Sequence, residues 1–218
     1  MGSRKRENLI FTFYESYLEM EEEWKKAQIF EKNWWMNSTQ WHAEEIEKGD
    51  IVGRLLFADK GAPTKSVIDI GCGPFSLLQR VPVKEGTALD PIYYDQYEQL
   101  YAEKGIKRLV KCGEDLSPED GTFDEAWIYN CLQHVKNPYK ILENAIQVSN
   151  TVRIFEWTYI KPYEGHLHEL TPELLSAPFK IHRWNTLMES KGVMGHSGLY
   201  GQYYMAIFSK NPAEQFKL

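Results

Sequence analysis

The stretch Val67-Ile68-Asp69-Ile70-Gly71-Cys72-Gly73-Pro74-Phe75 decides how this chain is read. It opens as a short apolar run of the kind that forms a buried strand. A carboxylate interrupts the run, and two glycines separated by one residue end it. Glycine just past a strand allows a tight turn and lets backbone N–H groups come close to a ligand. In an open α/β sheet that point faces the crevice outside the carboxyl ends of the strands, where ligands bind. The carboxylate of Asp69 is costly inside a strand unless something pairs with it. A ligand with a positive amino group would do so, directly or through water, whereas a phosphate would not. The usual dinucleotide fingerprint wants one more glycine, and Ser76 stands there. A nicotinamide dinucleotide is therefore disfavoured.

Downstream of this turn, short apolar stretches alternate with helical ones. The pattern predicts strands over 66–70, 86–89, 108–111, 123–129 and 151–157. Helices are expected over 75–81, 94–104 and 138–148. Such alternation marks a parallel sheet with helices on both faces. Beyond Tyr159 a short helix over 172–175, a strand near 180–184 and a last strand over 202–209 are expected. Asp90 ends the second strand about twenty residues after the glycines, the spacing of an acid that accepts hydrogen bonds from two ribose hydroxyls. A carboxylate that merely turns the chain before Pro91 is the plainer use of the same residue.

Upstream, Leu9, Phe13, Tyr17, Met20 and Trp24 recur at helical spacing and predict a helix over 7–32. Ser38 or Thr39 could cap a second helix from about Gln40. Residues 1–62 read as a helical cap or lid over a core at 63–218. Trp34 and Trp35 read as packing between cap and core. Trp41 and His42 are the candidates for contact with cofactor or substrate.

VIDIGCGPF resembles motif I of the class I S-adenosylmethionine-dependent methyltransferases. ALDP (88–91) matches their acidic motif at the end of strand two. KCGEDLSPEDGTFDEAWIYNCLQHVKNPYKIL (111–142) is similar to the next block in the small-molecule branch. The resemblance implies a Rossmann-like, seven-stranded, mostly parallel sheet, with S-adenosyl-L-methionine as cofactor. It implies that Gly71 and Gly73 pass close to the methionine part, with Asp69 serving its amino group. Asp90 would hold the ribose, and Pro91 or Ile92 would pack on the adenine. Gly113, through its backbone, and Glu114 would meet the adenine edge; Asn130 would lie beside the sulfonium. Cys112 stands where the family usually has an adenine-reading Asp, so Glu114 or Asp115 would take over the exocyclic amine, or backbone contacts would suffice.

A methyl-transfer site must align nucleophile, methyl and sulfur and exclude water, and it needs a base only for a poor nucleophile such as a hydroxyl. His134, just past strand four, and His166, in YEGHLHELTPELL (163–175), are the catalytic candidates; both could equally be structural. The His166–His168 pair could hold a metal if extended, but no third ligand follows from spacing and no metal is expected. Glu156 could orient an acceptor or pair with Arg153 or Lys161. The expected acceptor is a small molecule, methylated on oxygen slightly ahead of nitrogen or carbon. A cofactor-binding protein without transfer activity and a protein or tRNA methyltransferase are the alternatives.

The chain has 218 residues, 43% of them apolar and 26% charged, with a net charge of -6. This suits a globular domain with an appendage and disfavours a duplex nucleic-acid partner, which asks for a basic face. DPIYY (90–94) is only faintly like the motif with which DNA amino-methyltransferases hold a flipped base. The three cysteines form no CxxC pair, so neither a zinc site nor a disulfide framework is expected. No apolar run is long enough for a membrane span. No secretory signal is evident, and a cytoplasmic address is expected.

Overall fold

The computed structural model describes residues 3–37, 62–193 and 201–211. The expected second helix with its cap, Trp41 and His42 lie outside them. The sequence-predicted sheet is there, with seven strands in the order β3-β2-β1-β4-β5-β7-β6. They are β1 (Ser66–Ile70), β2 (Glu85–Leu89), β3 (Lys107–Leu109), β4 (Phe123–Tyr129), β5 (Ser149–Thr158), β6 (Asn185–Val193) and β7 (Gln202–Ser209). β1 to β5 pair in parallel, while β7 runs antiparallel between β5 and β6.

Among the described residues four α-helices accompany the sheet: α1 (Ser3–Asn37), α2 (Glu98–Glu103), α3 (Pro138–Val148) and α4 (Pro172–Ile181). Their starts are written in the sequence. The Asn137 side chain accepts from Lys140 N, and Thr171 accepts from Leu174 N. A proline follows each cap, at the first helical position where its missing N–H costs nothing.

Alternation along the strands sends side chains to two buried layers. Ala126 and Ile128 face α3 and α4 with Ile68, Ile154 and Phe208. Trp127 points the other way, into a layer with Val67, Leu78, Tyr101 and Phe155. Within that second layer Glu125 is 1% exposed and bonded to Arg153 Nε and Nη2 at 2.6 and 2.8 Å. Trp127 Nε1 and Lys65 also donate to it. Arg153 is thus the partner of Glu125, not of Glu156. Lys161 pairs with Glu169.

Two expected elements come out differently. The helix expected over 75–81 is a single 3-10 turn, Leu77–Gln79. Ser76 explains this: its hydroxyl accepts from Leu78 N and donates to Asp69, so the chain is anchored to β1 after one turn. The strand expected near 180–184 is the end of α4 and its exit, and the real strand begins at Asn185. Pro178 lies inside α4 without ending it. Beyond, the β6–β7 register shifts between Thr186 and Met188. That irregularity puts Leu187 and Met188 side by side and spoils the two-residue alternation a strand normally shows.

Candidate functional site

β1 and β4 are neighbours in space but not in sequence, so the chain changes direction between them. Crevices outside the carboxyl ends of strands at such a switch point are the usual ligand sites of open α/β sheets. A cavity of about 650 Å³ lies there, within the size range of small-molecule sites. The turn after β1, the residues after β2, the turn after β4, the chain from Trp157 to His166 and α1 all contribute to its wall.

The glycine turn is held from below. Gly71 N and Cys72 N both donate to Leu89 O, at 2.8 and 3.1 Å. Gly73 N donates to Asp90 Oδ2 at 2.9 Å. These N–H groups are spent inside the protein, so the glycines serve geometry rather than direct ligand donation. Gly71 has φ +69°, and a Cβ there would sit 2.6 Å from both Cβ and Sγ of Cys131. Gly73 has φ +56°, and its missing Cβ leaves open space. Tyr101 Oη donates to Gly73 O, and Arg108 Nη1 to Cys72 Sγ at 3.0 Å.

Asp69 does not line the cavity. Its Oδ2 accepts from Ser76 Oγ at 2.5 Å and Leu77 N at 3.2 Å. Burial pushes its carboxyl up to about 7. Its own chain thus supplies two partners for this carboxylate. Asp90 does line the cavity; its Oδ1 accepts from Ile92 N at 2.8 Å, and burial raises it to about 6. Pro91, Ile92 and Gly113 share that wall. Glu114 is there too, but its Oε1 accepts from the backbone N–H groups of Lys136 and Asn137. Cys112 is half-buried and is not on the wall; burial pushes its thiol up.

The opposite wall is assembled from side chains of distant segments. Asn130 follows β4 at φ +51°, with its N–H on Phe155 O. Glu156 fixes this turn from β5: fully buried, it accepts from Cys131 N and Leu132 N at 3.0 Å each. Burial raises Glu156 to about 8. His134 and His166 meet edge to face, with ring centres 4.5 Å apart. Both line the cavity. Burial pushes His134 down to about 4; burial and its neighbour His134 push His166 down to about 3. Weak bases of this kind are poor at taking a proton from a hydroxyl. His168 turns away to Val135 O at 2.7 Å and pins the loop.

Sequence reasoning expected a helical cap from this region but placed none of Trp24, Gln28, Phe30 and Glu31 of α1 on the cavity. Trp24, Gln28, Glu31 and Trp35 line the cavity, as do Phe30 and Trp34. Their spacing of four, three and four residues puts the first set on one helix face, a signal that was present but mixed polar with aromatic types. Gln28 Nε2 donates to His134 O, and Lys136 reaches Glu21 at 3.2 Å and lies over the Trp24 ring. A Cβ at Gly165 would meet Glu31 Oε1 at 2.6 Å and Phe30 Cδ1 at 2.7 Å, so helix and loop touch with no room to spare. Trp34 and Trp35, for which packing was the plainer expectation, are part of the wall, and Trp35 also meets Phe75.

No protein-family model matches the sequence, and no curated protein does. Solved structures match the fold. One is the 1,6-didemethyltoxoflavin-N1-methyltransferase of Burkholderia thailandensis, 16% identical, with a TM-score of 0.62 over 90% of each chain. Another is the N-methyltransferase NodS of Bradyrhizobium japonicum, 13% identical, with a TM-score of 0.65 over 86% of this chain and 99% of that one. The [4+2]-cyclase SpnF, 14% identical, gives 0.58 over 75% and 80%.

Proposed function

We propose that this chain, which has the fold of the class I S-adenosylmethionine-dependent methyltransferases, binds S-adenosylmethionine in the cavity and methylates a small molecule there. One observation carries the reading: the glycine turn after β1, the Asp90 carboxylate after β2 and Asn130 after β4 line a single cavity at the switch point of the sheet. The open space beside Gly73 suits close passage of a ligand, and the unpaired buried Nδ1 of His166 on the far wall suits a second one. Asp90 would hold the ribose hydroxyls, and Pro91 and Ile92 would pack on the adenine. The backbone of Gly113 would meet the adenine edge, with Glu114 bracing that wall. Gly71 and Gly73 would flank the methionine part. Asp69 acts one step back, by holding the turn through Ser76.

When bound, S-adenosylmethionine supplies an electrophilic methyl on sulfur. The chain's own work is alignment and exclusion of water. α1 covers the cavity, and its aromatic side chains favour an acceptor with an apolar or planar part. Neither His134 nor His166 is placed as a strong base, so nitrogen acceptors, which need none, rank level with hydroxyls in this reading. The same feature favours a second reading, a protein that binds the cofactor without methyl transfer; the fold itself does not decide between them.

Calorimetric titration with S-adenosylmethionine and S-adenosylhomocysteine tests the first step. Micromolar binding by the wild type is expected, with a loss of 100-fold or more in Asp90→Ala. No binding by the wild type refutes both readings. Label transfer from a methyl-labelled donor to a small-molecule pool then separates enzyme from binding protein.

A further inference from the structure

Asn130 lines the cavity and is half-buried. Which end of its amide meets a ligand is settled by groups distant from it in sequence. The starting point is Gly165, whose carbonyl lies 2.9 Å from His134 Nδ1. A carbonyl can only accept, so Nδ1 carries the hydrogen. Glu31 Oε1, 3.2 Å from the same nitrogen, asks for the same tautomer. Burial keeps the ring neutral, so His134 Nε2 presents a lone pair.

That lone pair lies 3.3 Å from the amide of Gln133. The facing group must be a donor, which makes it the NH2 end. Amide orientation is a matter of network logic, and here the network has a fixed end. The same NH2 reaches Asn130 Oδ1 at 2.8 Å. Both its hydrogens are now used, and Gln133 Oε1 is left buried without a partner. The orientation holds despite the cost of that orphan, because the reverse would set oxygen against the His134 lone pair. Asn130 Oδ1 is spent as well.

We infer that the relay Gly165–His134–Gln133–Asn130 fixes the Asn130 side chain so that its NH2 group is offered to the cavity, where it selects a ligand atom with a lone pair. Carboxylate, carbonyl or enol oxygen and aromatic ring nitrogen qualify; an ammonium or an N–H does not. Gln133 and His134 are positioning residues in this scheme. It assigns His134 a use that requires it neutral, in place of proton transfer. The lone pair could belong to the carboxylate of the cofactor or to the methyl acceptor; naming these two sources rests on the proposed function, whereas the orientation of Asn130 does not.

Asn130→Asp is the test, since it replaces the NH2 by oxygen at nearly constant shape. Two probe pairs distinguish the sources. S-adenosylhomocysteine carries a carboxylate and 5′-methylthioadenosine does not; quinoline carries a ring lone pair and naphthalene does not. If the cofactor is the partner, Asn130→Asp weakens S-adenosylhomocysteine at least tenfold and leaves 5′-methylthioadenosine unchanged. If the acceptor is the partner, the wild type prefers quinoline over naphthalene at least tenfold and the variant loses that preference. Gln133→Glu reverses the polarity of the relay without touching Asn130 and should reproduce whichever change is seen. Unchanged selectivity in both pairs for Asn130→Asp, including the case in which no probe is discriminated, overturns the inference. A folded Gln133→Glu protein with wild-type selectivity overturns the relay. The quinoline arm runs equally on protein without S-adenosylhomocysteine, so a failure of cofactor binding counts against the proposed function alone.

Discussion

On the β1 and β2 side of the cavity the wall is chiefly backbone: two glycines at positive φ, N–H groups spent on Leu89 O and Asp90, and one carboxylate. On the β4 and β5 side it is chiefly side chains, drawn from α1, the turn after β4 and the loop around Gly165. A backbone wall has few ways to change without cost, because its form depends on glycines at positive φ, where any side chain is strained. A side-chain wall can be altered one group at a time. The first suits a ligand that never varies, and the second suits one that does.

The sharpest attempt to break this contrast is Gly71→Ala. Positive φ and contact with Cys131 act together, and a loss of about 2–5 kcal/mol is expected in urea unfolding. A loss near zero would mean that the backbone wall yields like the other. Next comes Glu156, the buried brace of the side-chain wall. Its folded pKa of about 8 lies above the unfolded value of about 4.3. The folded state therefore holds the extra proton, and wild-type stability falls as pH rises between those values, by up to about 1.4 kcal/mol per pH unit. Asp69 and Asp90, raised to about 7 and about 6, add to the fall at lower pH. Glu156→Gln, neutral throughout, should be flatter than the wild type between pH 7 and 8; parallel curves would show that Glu156 is already ionised there.

Gly73→Ala sharpens the comparison within the backbone wall. It meets strain but no clash, so a loss of about 1–2 kcal/mol is expected. Its methyl group should also weaken S-adenosylhomocysteine in calorimetry, unless the ligand passes elsewhere. The smallest effect is expected for Lys136→Ala, which removes a partly exposed tie to Glu21 and Trp24. Thermal or urea unfolding should change by less than about 1 kcal/mol, and a larger loss would make α1 an integral part of the fold.

The backbone wall was legible in the sequence because its requirements are local. A strand, a glycine turn and an acid about twenty residues on can be read from one continuous stretch. The side-chain wall was legible only in part: Asn130, His134 and His166 were named, but Gln133, Glu31 and Gly165 become neighbours only after folding, and no spacing in the sequence joins them. Asp69 shows the limit even in the legible half. Its burial demanded a partner, as reasoned, but the partner was Ser76, seven residues on, which also cut the expected helix to one turn. Pro178 marks an element that runs further than expected. It lies inside a helix expected only over 172–175, yet α4 runs through it, with Leu175 and Phe179 on either side fully buried against the sheet.

The contact at Gly165 has a consequence for how such a protein could diversify. Roof helix and loop fit each other there through a single missing side chain. They form a matched pair, and neither belongs to the sheet. Exchanging one of them for a homologous segment would spoil the match, whereas exchanging both would graft a new substrate preference onto an untouched cofactor half. Under the proposed function, the unit of inheritance for specificity would be two segments, far apart in sequence, that must change together.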